Sequence, residues 1–439
     1  MQYFTRDLRL KNGFILYPGK PGGTSDDTTA LSRFFNNLIA APGAVGVLPD
    51  GVYTTTAVLP TVSVPGFTLI GAGLDLRHST GATTPRNGSI IKYTGSTSGS
   101  PVLAKFEPTA GASADALMGV IVKGVTFDAN NTAAKAITIK SCRYSDFEIG
   151  FWDGTTSGCE LDVLTNANLG DGTSANLNRF VLVGVQDTAA SGVSLRLKGD
   201  GDGNASLNLF ERVDILHTNA VGISCENCDS NLWVKVRVFR TGGGSATNSI
   251  EWLGSNTSDA YTARHETFLD LNTTVAAIAK GTGTYTYPAH DIQIYRFDAG
   301  NATPAPTEEA GATIFHPYWR TYATTLSAGT GSFTSATAAM AYRRCFKQSM
   351  EVQGNIAITT NGTAASYIQL TTPYAIDGGS GGASIVAGKG NVGTGMTITG
   401  LGAAGGSDIR FQDYAGNYPG ADGRTFQYHG TIRLAAVGS

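Results

Sequence analysis

The first regular hydrophobic pattern in the chain is helical. Asp26 and Asp27 can cap free backbone amides, and Pro42 with Gly43 ends the segment. Between them, apolar residues recur at intervals of three or four: Leu31, Phe34, Phe35, Leu38 and Ile39. This spacing predicts a helix with one apolar face.

From Val45 the pattern changes to short runs typical of β-strands. The runs are rich in β-branched and aromatic residues, and Gly, Asn, Asp or Pro residues separate them. The first runs are VGVLPDGVYTT (45–55), FTLIGAG (67–73), SIIKYTG (89–95) and GVIVKGVTFDAN (119–130).

A short motif, Asn-x-aromatic, opens three successive strand runs. Its copies, 30 and 23 residues apart, are Asn178-x-Phe180, Asn208-x-Phe210 and Asn231-x-Trp233. A second run follows each copy: SGVSLRL (191–197), VGISC (221–225) and NSIEW (248–252). Two strands per unit in constant order predict the stacked coils of a parallel β-solenoid, because one coil cannot bury its inner face alone.

Beyond about residue 322 the coil period is lost. Alternating runs lie between Gly-rich turns, among them VQGNIAITTNG (352–362), SYIQLTTPY (366–374) and FQYHGTIRLAA (426–436). This pattern is typical of an antiparallel β-sandwich. The sequence therefore predicts an all-β chain in three parts: an N-terminal segment over 1–24, a parallel β-helix over 25–320 and a β-sandwich over 321–439.

The composition supports this fold and limits the function. With 57 Gly in 439 residues and 41% hydrophobic residues, the chain suits many turns around a large core. A net charge of −3 argues against nucleic-acid binding, and no apolar run is long enough to predict membrane insertion. Residues 1–20 lack the apolar run of a signal peptide, and five cysteines are too few for a disulfide framework. The sequence shows no cofactor fingerprint, so no cofactor is expected.

The segment GGTSDDTTALSRFFNNLIAAPGAVGVLPDGVYTTT (22–56), followed by FTLIGAG and GVTFDAN, resembles the start of the pectin-lyase-like right-handed β-helix family. In that family a GDGxTDDTxAIQxAL stretch supplies a helix that caps the first coil, and LPPGxY, LxGxG and GxTxDGN follow. The departures here are Pro21-Gly22-Gly23 in place of GDG and Asp50 in place of the second Pro. The matching residues are Asp26, Asp27, Leu48, Pro49, Gly51, Tyr53, Gly71, Gly73, Gly124, Thr126 and Asp128.

The C-terminal runs QGNIAITTNGTAASYIQLTTPY (353–374) and DYAGNYPGADGRTFQYHGTIRLAA (413–436) resemble the β-sandwich that follows such β-helices in spikes of tailed bacteriophages and of phage-derived particles such as gene transfer agents. The resemblance implies a homotrimeric spike on the surface of a virion or phage-like particle, assembled in the bacterial cytoplasm. It implies that the 1–24 segment attaches to a capsid or tail protein. The expected partner is a bacterial surface polysaccharide, capsule or O-antigen.

A column on the outside of the predicted coils is the candidate glycan-binding surface. If Val234, Val236 and Val238 face the core, strict alternation turns Trp233, Lys235 and Arg237 outward. Exposed rings stack on sugar rings, and charges bind hydroxyl and acidic groups. The alternatives are an aromatic stack in the core and a subunit interface. The candidate contacts are Phe180, Phe210, Trp233, Arg212, Lys235 and Arg237.

Three carboxylates are candidates for glycan cleavage. Asp146 and Glu148 stand two residues apart in DFEIG (146–150), so a strand places them on one face. Asp214 is a further candidate if adjacent coils bring it close. Paired carboxylates can act as acid and base, or as acid and nucleophile, on a glycosidic bond. The alternative is an ordinary surface pair.

Two motifs offer metal ligands, although no metal site is expected. Cys225-x-x-Cys228 lacks a second pair, which favours buried, reduced thiols over zinc. Ala205 replaces the Gly of a calcium loop, so a tight turn is the alternative to a calcium site. The weak calcium candidates, at positions 1, 3, 5 and 12 of that loop spacing, are Asp200, Asp202, Asn204 and Glu211.

Two functions fit these observations. One is a non-catalytic spike that binds bacterial surface polysaccharide for host attachment. The other is a depolymerase that cleaves the same glycan, by paired carboxylates or by β-elimination with an Arg or Lys base. The low number of carboxylates in the coils favours binding. A secreted bacterial polysaccharide lyase is a third interpretation, against which the missing signal peptide argues.

Overall fold

The structure is a computed structural model that divides into two compact units. The first unit contains Met1–Gln293 and Phe297–Ile314, and the second contains Ile294–Arg296 and Phe315–Ser439. The division falls near residue 314, a few residues before the predicted boundary. The structure describes residues 14–16, 26–74, 88–109, 116–162, 175–186, 192–199, 204–217, 221–240, 249–256, 262–273, 278–280, 286–287, 289–298, 314–346, 349–377, 385–390, 397–402 and 406–434.

The helix Thr28–Ile39 forms as its pattern predicts. Asp27 is its N-cap residue, and the backbone amide of Thr28, the first helical residue, donates to Asp26 Oδ1 at 2.9 Å. The backbone of Gly46 lies directly under the helix, and a Cβ there would fall 2.4 Å from Leu38 Cδ1. The helix therefore caps the first coil by close packing. Its buried residues are Leu31, Phe34, Phe35 and Leu38. Within the described ranges, no helix has the length and apolarity of a membrane span.

The first unit is a right-handed parallel β-helix, as predicted, in which three parallel sheets run along the stack of coils. The first sheet contains Phe14–Leu16, Val45–Leu48, Gly51–Thr55, Thr68–Gly71, Ser89–Tyr93, Ile121–Asp128, Asp146–Trp152, Arg179–Gln186, Leu209–His217, Leu232–Trp233, Val236–Arg240, Thr267–Phe268, Leu271–Thr273, Ile292–Ile294 and Phe297–Asp298. The second contains Val102–Phe106, Lys135–Lys140, Ser157–Asp162, Val193–Leu197, Val221–Cys225, Ile250–Trp252 and Ile278–Lys280. The third contains Leu117–Met118, Cys142–Arg143, Ala175–Asn176, Ala205–Ser206, Cys228–Asp229 and Ala263–Arg264.

One strand of the β-helix lies inside the segment predicted to be a separate attachment peptide. Phe14–Leu16 pairs in parallel with Val45–Val47. The β-helix therefore begins before residue 25, because these three residues continue the first sheet by backbone hydrogen bonds.

The second unit is the predicted antiparallel sandwich. Its strands pair in one continuous antiparallel order, and residues from both halves of that order share a single core that includes Val352, Ile368, Phe411 and Phe426. The strands are Ile314–Tyr322, Leu326–Thr330, Ser335–Phe346, Ser349–Thr360, Ala365–Thr371, Ile385–Gly390, Thr397–Gly402, Asp408–Asp413 and Arg424–Arg433.

A stack of aromatic rings runs through the β-helix core and corrects the predicted glycan column. Phe180, Phe210 and Trp233 have 0% exposed surface. Ring centroids lie 5.0 Å apart between Phe180 and Phe210, and 3.8 Å apart between Phe210 and Trp233, with nearly parallel planes. The stacked rings are Phe147, Phe180, Phe210, Trp233 and Phe268. Phe106 of the second sheet makes edge contacts with Phe67 and Phe147, and Phe67 stacks on Phe35 of the helix. The three predicted aromatic glycan contacts are therefore core residues.

Extra residues after the rings explain why the predicted orientation was wrong. Phe180 pairs with Phe210, but the next residue of that strand, Val181, pairs with Arg212. Glu211 is therefore a bulge, which breaks strict alternation. In the following coil two residues likewise separate the buried Trp233 from the next buried residue of the strand. Strict alternation counted back from Val236 and Val238 crosses this break. It therefore assigns Trp233 to the outer face, although the ring lies in the core.

The asparagines of the repeated motif form a buried ladder beside the rings. Asn178 Nδ2 donates to Asn208 Oδ1 at 3.0 Å, and Asn208 Nδ2 donates to Asn231 Oδ1 at 3.0 Å. Each amide oxygen also accepts the backbone amide of the preceding asparagine or of Ser145. The ladder satisfies polar groups that would otherwise be buried without partners, and it fixes the register of adjacent coils.

The ladder ends on a buried carboxyl group, Glu266. Its Oε1 accepts from Asn231 Nδ2 at 2.8 Å, and its Oε2 accepts from Trp233 Nε1 at 2.5 Å. Burial raises the pKa of Glu266 to about 7, although these hydrogen bonds act in the opposite direction. The carboxyl group therefore takes up a proton more readily in the folded chain than in the unfolded chain.

We expect this carboxyl group to make stability fall as pH rises through its titration range. The folded state binds the proton with a pKa near 7 and the unfolded state with a pKa near 4.5. The unfolding free energy should therefore decline by about 3 kcal/mol between pH 4.5 and 7 and then level off. Denaturant unfolding of the wild type and of Glu266→Gln across this range measures the effect as their difference.

The matched control is Glu148→Gln, which removes a carboxylate from the outer face of the first sheet. Its stability should follow the wild-type pH profile in parallel. If Glu266→Gln also runs parallel to the wild type, Glu266 does not carry the proton in the folded state.

Candidate functional site

The outer face of the first sheet carries a chain of ion pairs across neighbouring coils. Lys123 Nζ lies 2.6 Å from Asp146 Oδ2, and Arg179 Nη1 lies 2.8 Å from Asp146 Oδ1. Arg179 also reaches the next coil, where its Nη2 lies 2.5 Å from Glu211 Oε2. Parallel pairing brings these groups together, since it places Asp146 beside Arg179. In this series of ion pairs, two positive side chains balance two negative ones.

A second charged group on the same sheet face has an excess of positive charge. Asp214 is buried, and it accepts hydrogen bonds from Arg212 Nε at 2.6 Å and from Arg237 Nε. Arg212 and Arg237 remain 42% and 37% exposed. Lys235 is exposed beside them, because Val213 pairs with the residue that follows Lys235. We call these four residues the cationic patch.

The electrostatics of the cationic patch are those of an ionised carboxylate held between two cations. Burial alone would raise the pKa of Asp214, but the hydrogen bonds from Arg237 and Arg212 outweigh it and lower the pKa below its ordinary value. Asp214 is therefore unsuited to donate a proton near neutral pH. Arg237 also packs against Phe239, with Cζ 5.7 Å from the ring centroid.

The structure does not assemble the predicted catalytic carboxylates into one site. Asp146 and Glu148 share a strand and face outward, as predicted, but Asp146 is neutralised by two cations. Asp214 lies two strands away, with Arg179–Gln186 between. We therefore assign Asp214 to the cationic patch rather than to an acid–base pair.

The second sheet presents two carboxyl groups that the sequence reasoning missed. Glu160 is 2% exposed and forms an ion pair with Lys135. Glu226, two coils further along, lies 2.8 Å from Arg196 Nε through its Oε1. Burial raises the pKa of Glu226, while Arg196 and Lys198 act in the opposite direction. Alternation in SGCELD (157–162) was the available signal, since it turns Glu160 outward once Cys159 and Leu161 are placed in the core.

Of the four weak calcium candidates, the structure describes only Asn204 and Glu211. Asp200 and Asp202 lie outside the described residues. The Glu211 carboxylate is bound by Arg179, and Asn204 precedes a strand of the third sheet. Cys225 and Cys228 are buried free thiols, as predicted, and burial raises the pKa of both.

One face of the sandwich contains an open groove of about 820 Å³. Trp319 stands close by, with its ring centroid 6.1 Å from that of His429 and 5.0 Å from Arg343 Cζ. Amide side chains offer both donors and acceptors, as sugar hydroxyl groups require. The lining includes Ala339, Ala341, Gln353, Asn355, Gln427 and His429.

Comparisons with known proteins give structural neighbours only. No protein-family model and no curated protein sequence matches the chain. In structure the chain is similar to the Dettilon tailspike protein, at 9% identity and a TM-score of 0.28, over 96% of this chain and 94% of that one. It is also similar to a tailspike protein of Acinetobacter baumannii bacteriophage Fri1, a capsular polysaccharide depolymerase, at 9% identity and a TM-score of 0.30, over 97% and 87%. A third neighbour is the A-module of the Azotobacter vinelandii mannuronan C-5 epimerase AlgE4, at 14% identity and a TM-score of 0.25, over 68% and 98%. TM-scores this low transfer neither an activity nor a site residue.

Proposed function

We propose that the protein is a spike of a phage or phage-derived particle that binds an acidic bacterial surface polysaccharide. The observation that carries the proposal is the cationic patch, where the partly exposed Arg212 and Arg237 bind one buried carboxylate and the exposed Lys235 lies beside Arg212 in the next coil. Arginine guanidinium groups pair with carboxylates through two parallel hydrogen bonds, which suits uronic acids and other acidic sugars.

The shape of the β-helix suits a polymeric ligand. Its outer face repeats at each coil, at the spacing of neighbouring β-strands, about 4.8 Å. A flat, repeating polar surface allows an extended polysaccharide to contact several coils at once. The low overall charge of the chain leaves the cationic patch as a local feature, because the whole sequence has a net charge of −3.

We expect the double substitution of Arg212 and Lys235 by Ala to weaken binding of an acidic capsular polysaccharide. Both side chains are exposed, and Arg237 remains to neutralise Asp214. The affinity should fall by about 10- to 100-fold, as expected for losing two exposed charge contacts. The difference from the wild type should shrink at high salt, since exposed charges are screened. Surface plasmon resonance on immobilised capsule at two salt concentrations measures both effects.

The matched control is Arg433→Ala on the sandwich, which removes an exposed cation outside the patch and should leave the affinity unchanged. A second comparison is Gln353→Ala with Gln427→Ala in the sandwich groove. If this pair loses affinity while the cationic-patch variant keeps it, the glycan site lies in the groove and the patch assignment is wrong. Thermal melting of each variant separates lost contacts from lost folding.

The proposal includes a homotrimer mounted on the particle through the N-terminal segment. An exposed apolar column at one corner of the β-helix supports self-association. Tyr144, Leu177 and Leu207 are 64%, 44% and 54% exposed, in positions with left-handed backbone. Such a backbone is unfavourable for these side chains, and a row of exposed apolar residues is typical of an interface. A second copy of this chain is the proposed occupant.

We expect Leu207→Asp to convert the trimer into monomers, because it places a charge in the middle of this apolar column. Analytical ultracentrifugation at micromolar concentration measures the mass. Tyr414→Asp is the control, since Tyr414 is 90% exposed on the sandwich and should not change the mass. A wild-type chain that sediments as a monomer contradicts the trimer.

Depolymerase activity is the second candidate function, and the second sheet favours it. Glu226 has a raised pKa, and Glu160 shares its sheet face in ion-pair contact with Lys135. Two carboxyl groups on the same face, one of them with a raised pKa, are the pattern that acid–base cleavage of a glycosidic bond uses. If the protein is a depolymerase, Glu226 is the general acid.

The depolymerase function predicts release of reducing ends from purified capsule by the wild type. Glu226→Gln should lower the rate by about 100-fold or more, because it removes the proton donor. Glu148→Gln, on the first sheet, should retain the wild-type rate. A wild type that binds capsule without releasing reducing ends leaves the spike as a non-catalytic adhesin.

A further inference from the structure

A cluster of metal-ligating side chains lies at the corner where the third sheet ends. Its members are His265, His290 and Asp291, which come from two consecutive coils. One ligand atom of each residue lies within 4.8 Å of the others. None of these residues belongs to the cationic patch or to the second-sheet carboxylates. The cluster is partly exposed, so a hydrated ion can reach it.

The spacing of the ligand atoms fits a tetrahedral ion. His290 Nδ1 lies 3.0 Å from Asp291 Oδ2, and His265 Nε2 lies 3.6 Å from the same oxygen. Zinc binds such atoms at about 2.0–2.1 Å, which places neighbouring ligands of a tetrahedron about 3.3 Å apart. The two observed distances lie on either side of this value, so small rotations of the rings complete the geometry.

The surroundings of His265 independently orient it as a ligand. Its Nδ1 lies 2.9 Å from Asp229 Oδ1 in the preceding coil, which leaves Nε2 directed towards Asp291. Asp229 is in turn held by Ser230 Oγ at 2.8 Å and by Arg264 Nη2 at 3.2 Å. A carboxylate on the second ring nitrogen of a histidine is the usual support for a zinc ligand, since it fixes the tautomer and the ring orientation.

The backbone explains why these residues meet. His265 and Asp291 both have left-handed φ values, +52° and +54°. They occupy equivalent positions in adjacent coils, because the amide of His265 donates to the carbonyl of His290. In the earlier coils this left-handed column contains Tyr144, Leu177, Leu207 and Ser230. Metal-ligating side chains occur in it only in the last two of these coils.

We propose that His265 Nε2, His290 Nδ1 and the Asp291 carboxylate bind one Zn²⁺ ion, with Asp229 as the supporting carboxylate. Two imidazoles and one carboxylate favour zinc over Ca²⁺ and Mg²⁺, which prefer all-oxygen sites. Three protein ligands leave one position of the tetrahedron for water. The ion links two consecutive coils and stabilises the end of the β-helix, since it binds the folded chain alone.

The test uses the full-length chain, without an affinity tag and after treatment with a chelator. Isothermal titration with ZnCl₂ should show one ion per chain with a micromolar or tighter Kd, and Zn²⁺ should raise the melting temperature. Co²⁺ in place of Zn²⁺ should give the visible absorption bands of a tetrahedral site. CaCl₂ should give no binding heat and no shift.

Variants identify the ligands. His265→Ala and His290→Ala should each weaken Zn²⁺ binding by at least 100-fold, and Asp229→Asn by about 10- to 100-fold as a supporting residue. His429→Ala on the sandwich is the control and should bind as the wild type does. Circular dichroism of each variant without metal shows that the chain is folded.

Two results would contradict the proposed zinc site. One is no saturable Zn²⁺ binding by the folded wild type at 100 μM metal. The other is unchanged binding by a folded variant that carries both His265→Ala and His290→Ala, which places the ion elsewhere. Because neither readout uses glycan, the zinc site and the proposed polysaccharide function fail or succeed separately.

Discussion

The in-register stack of buried aromatic rings is the constraint on which the β-helix depends. From Phe147 to Phe268, each ring packs on the ring of the next coil at one in-register position. The stack buries large apolar area at this inner position in five successive coils. A coil that slipped by one residue would turn its ring to the outside and would lose this packing on both sides. The rings therefore fix the register in which all outer residues are presented.

The asparagine ladder adds a second, polar constraint at nearly the same position. Asn178, Asn208 and Asn231 lie two residues before their rings, so a correct ring register also completes the amide hydrogen bonds. Buried amides tolerate little displacement, because an unsatisfied group in the core costs about 1–3 kcal/mol. Together the two ladders make the outer face reproducible from coil to coil. The ion pairs and the cationic patch rest on that reproducibility, since each joins residues of adjacent strands.

The sequence predicted the fold and the alignment of Phe180, Phe210 and Trp233, but it did not predict the register after the bulge, and it predicted the orientation of the site only in part. The motif at Asn208 and Phe210 was sufficient to align coils, because a buried amide and a buried ring tolerate few substitutions. Orientation depended on strict alternation, and the bulge at Glu211 breaks it without any clear signal in the residue types. The cations Arg212, Lys235 and Arg237 nevertheless lie on the surface, as predicted. Charged side chains are excluded from this core even where the alternation of inward and outward positions is broken. Glu226 was missed for the opposite reason, since its importance comes from burial that only packing reveals.

At the end of the β-helix the fold continues although the aromatic stack and the asparagine ladder have ended. The amide column changes to the carboxyl group of Glu266, and the strand after Phe268 is Ile292–Ile294, which has no aromatic residue to extend the stack. These last two coils also contain the histidines that meet at the corner, although His265 and His290 are 25 residues apart in the sequence. No local motif connects them, and only the coil register brings them together. Where the ring stack and the amide ladder end, the proposed ligands on the outside join the same pair of coils, so that a bound ion would link coils that neither ladder connects.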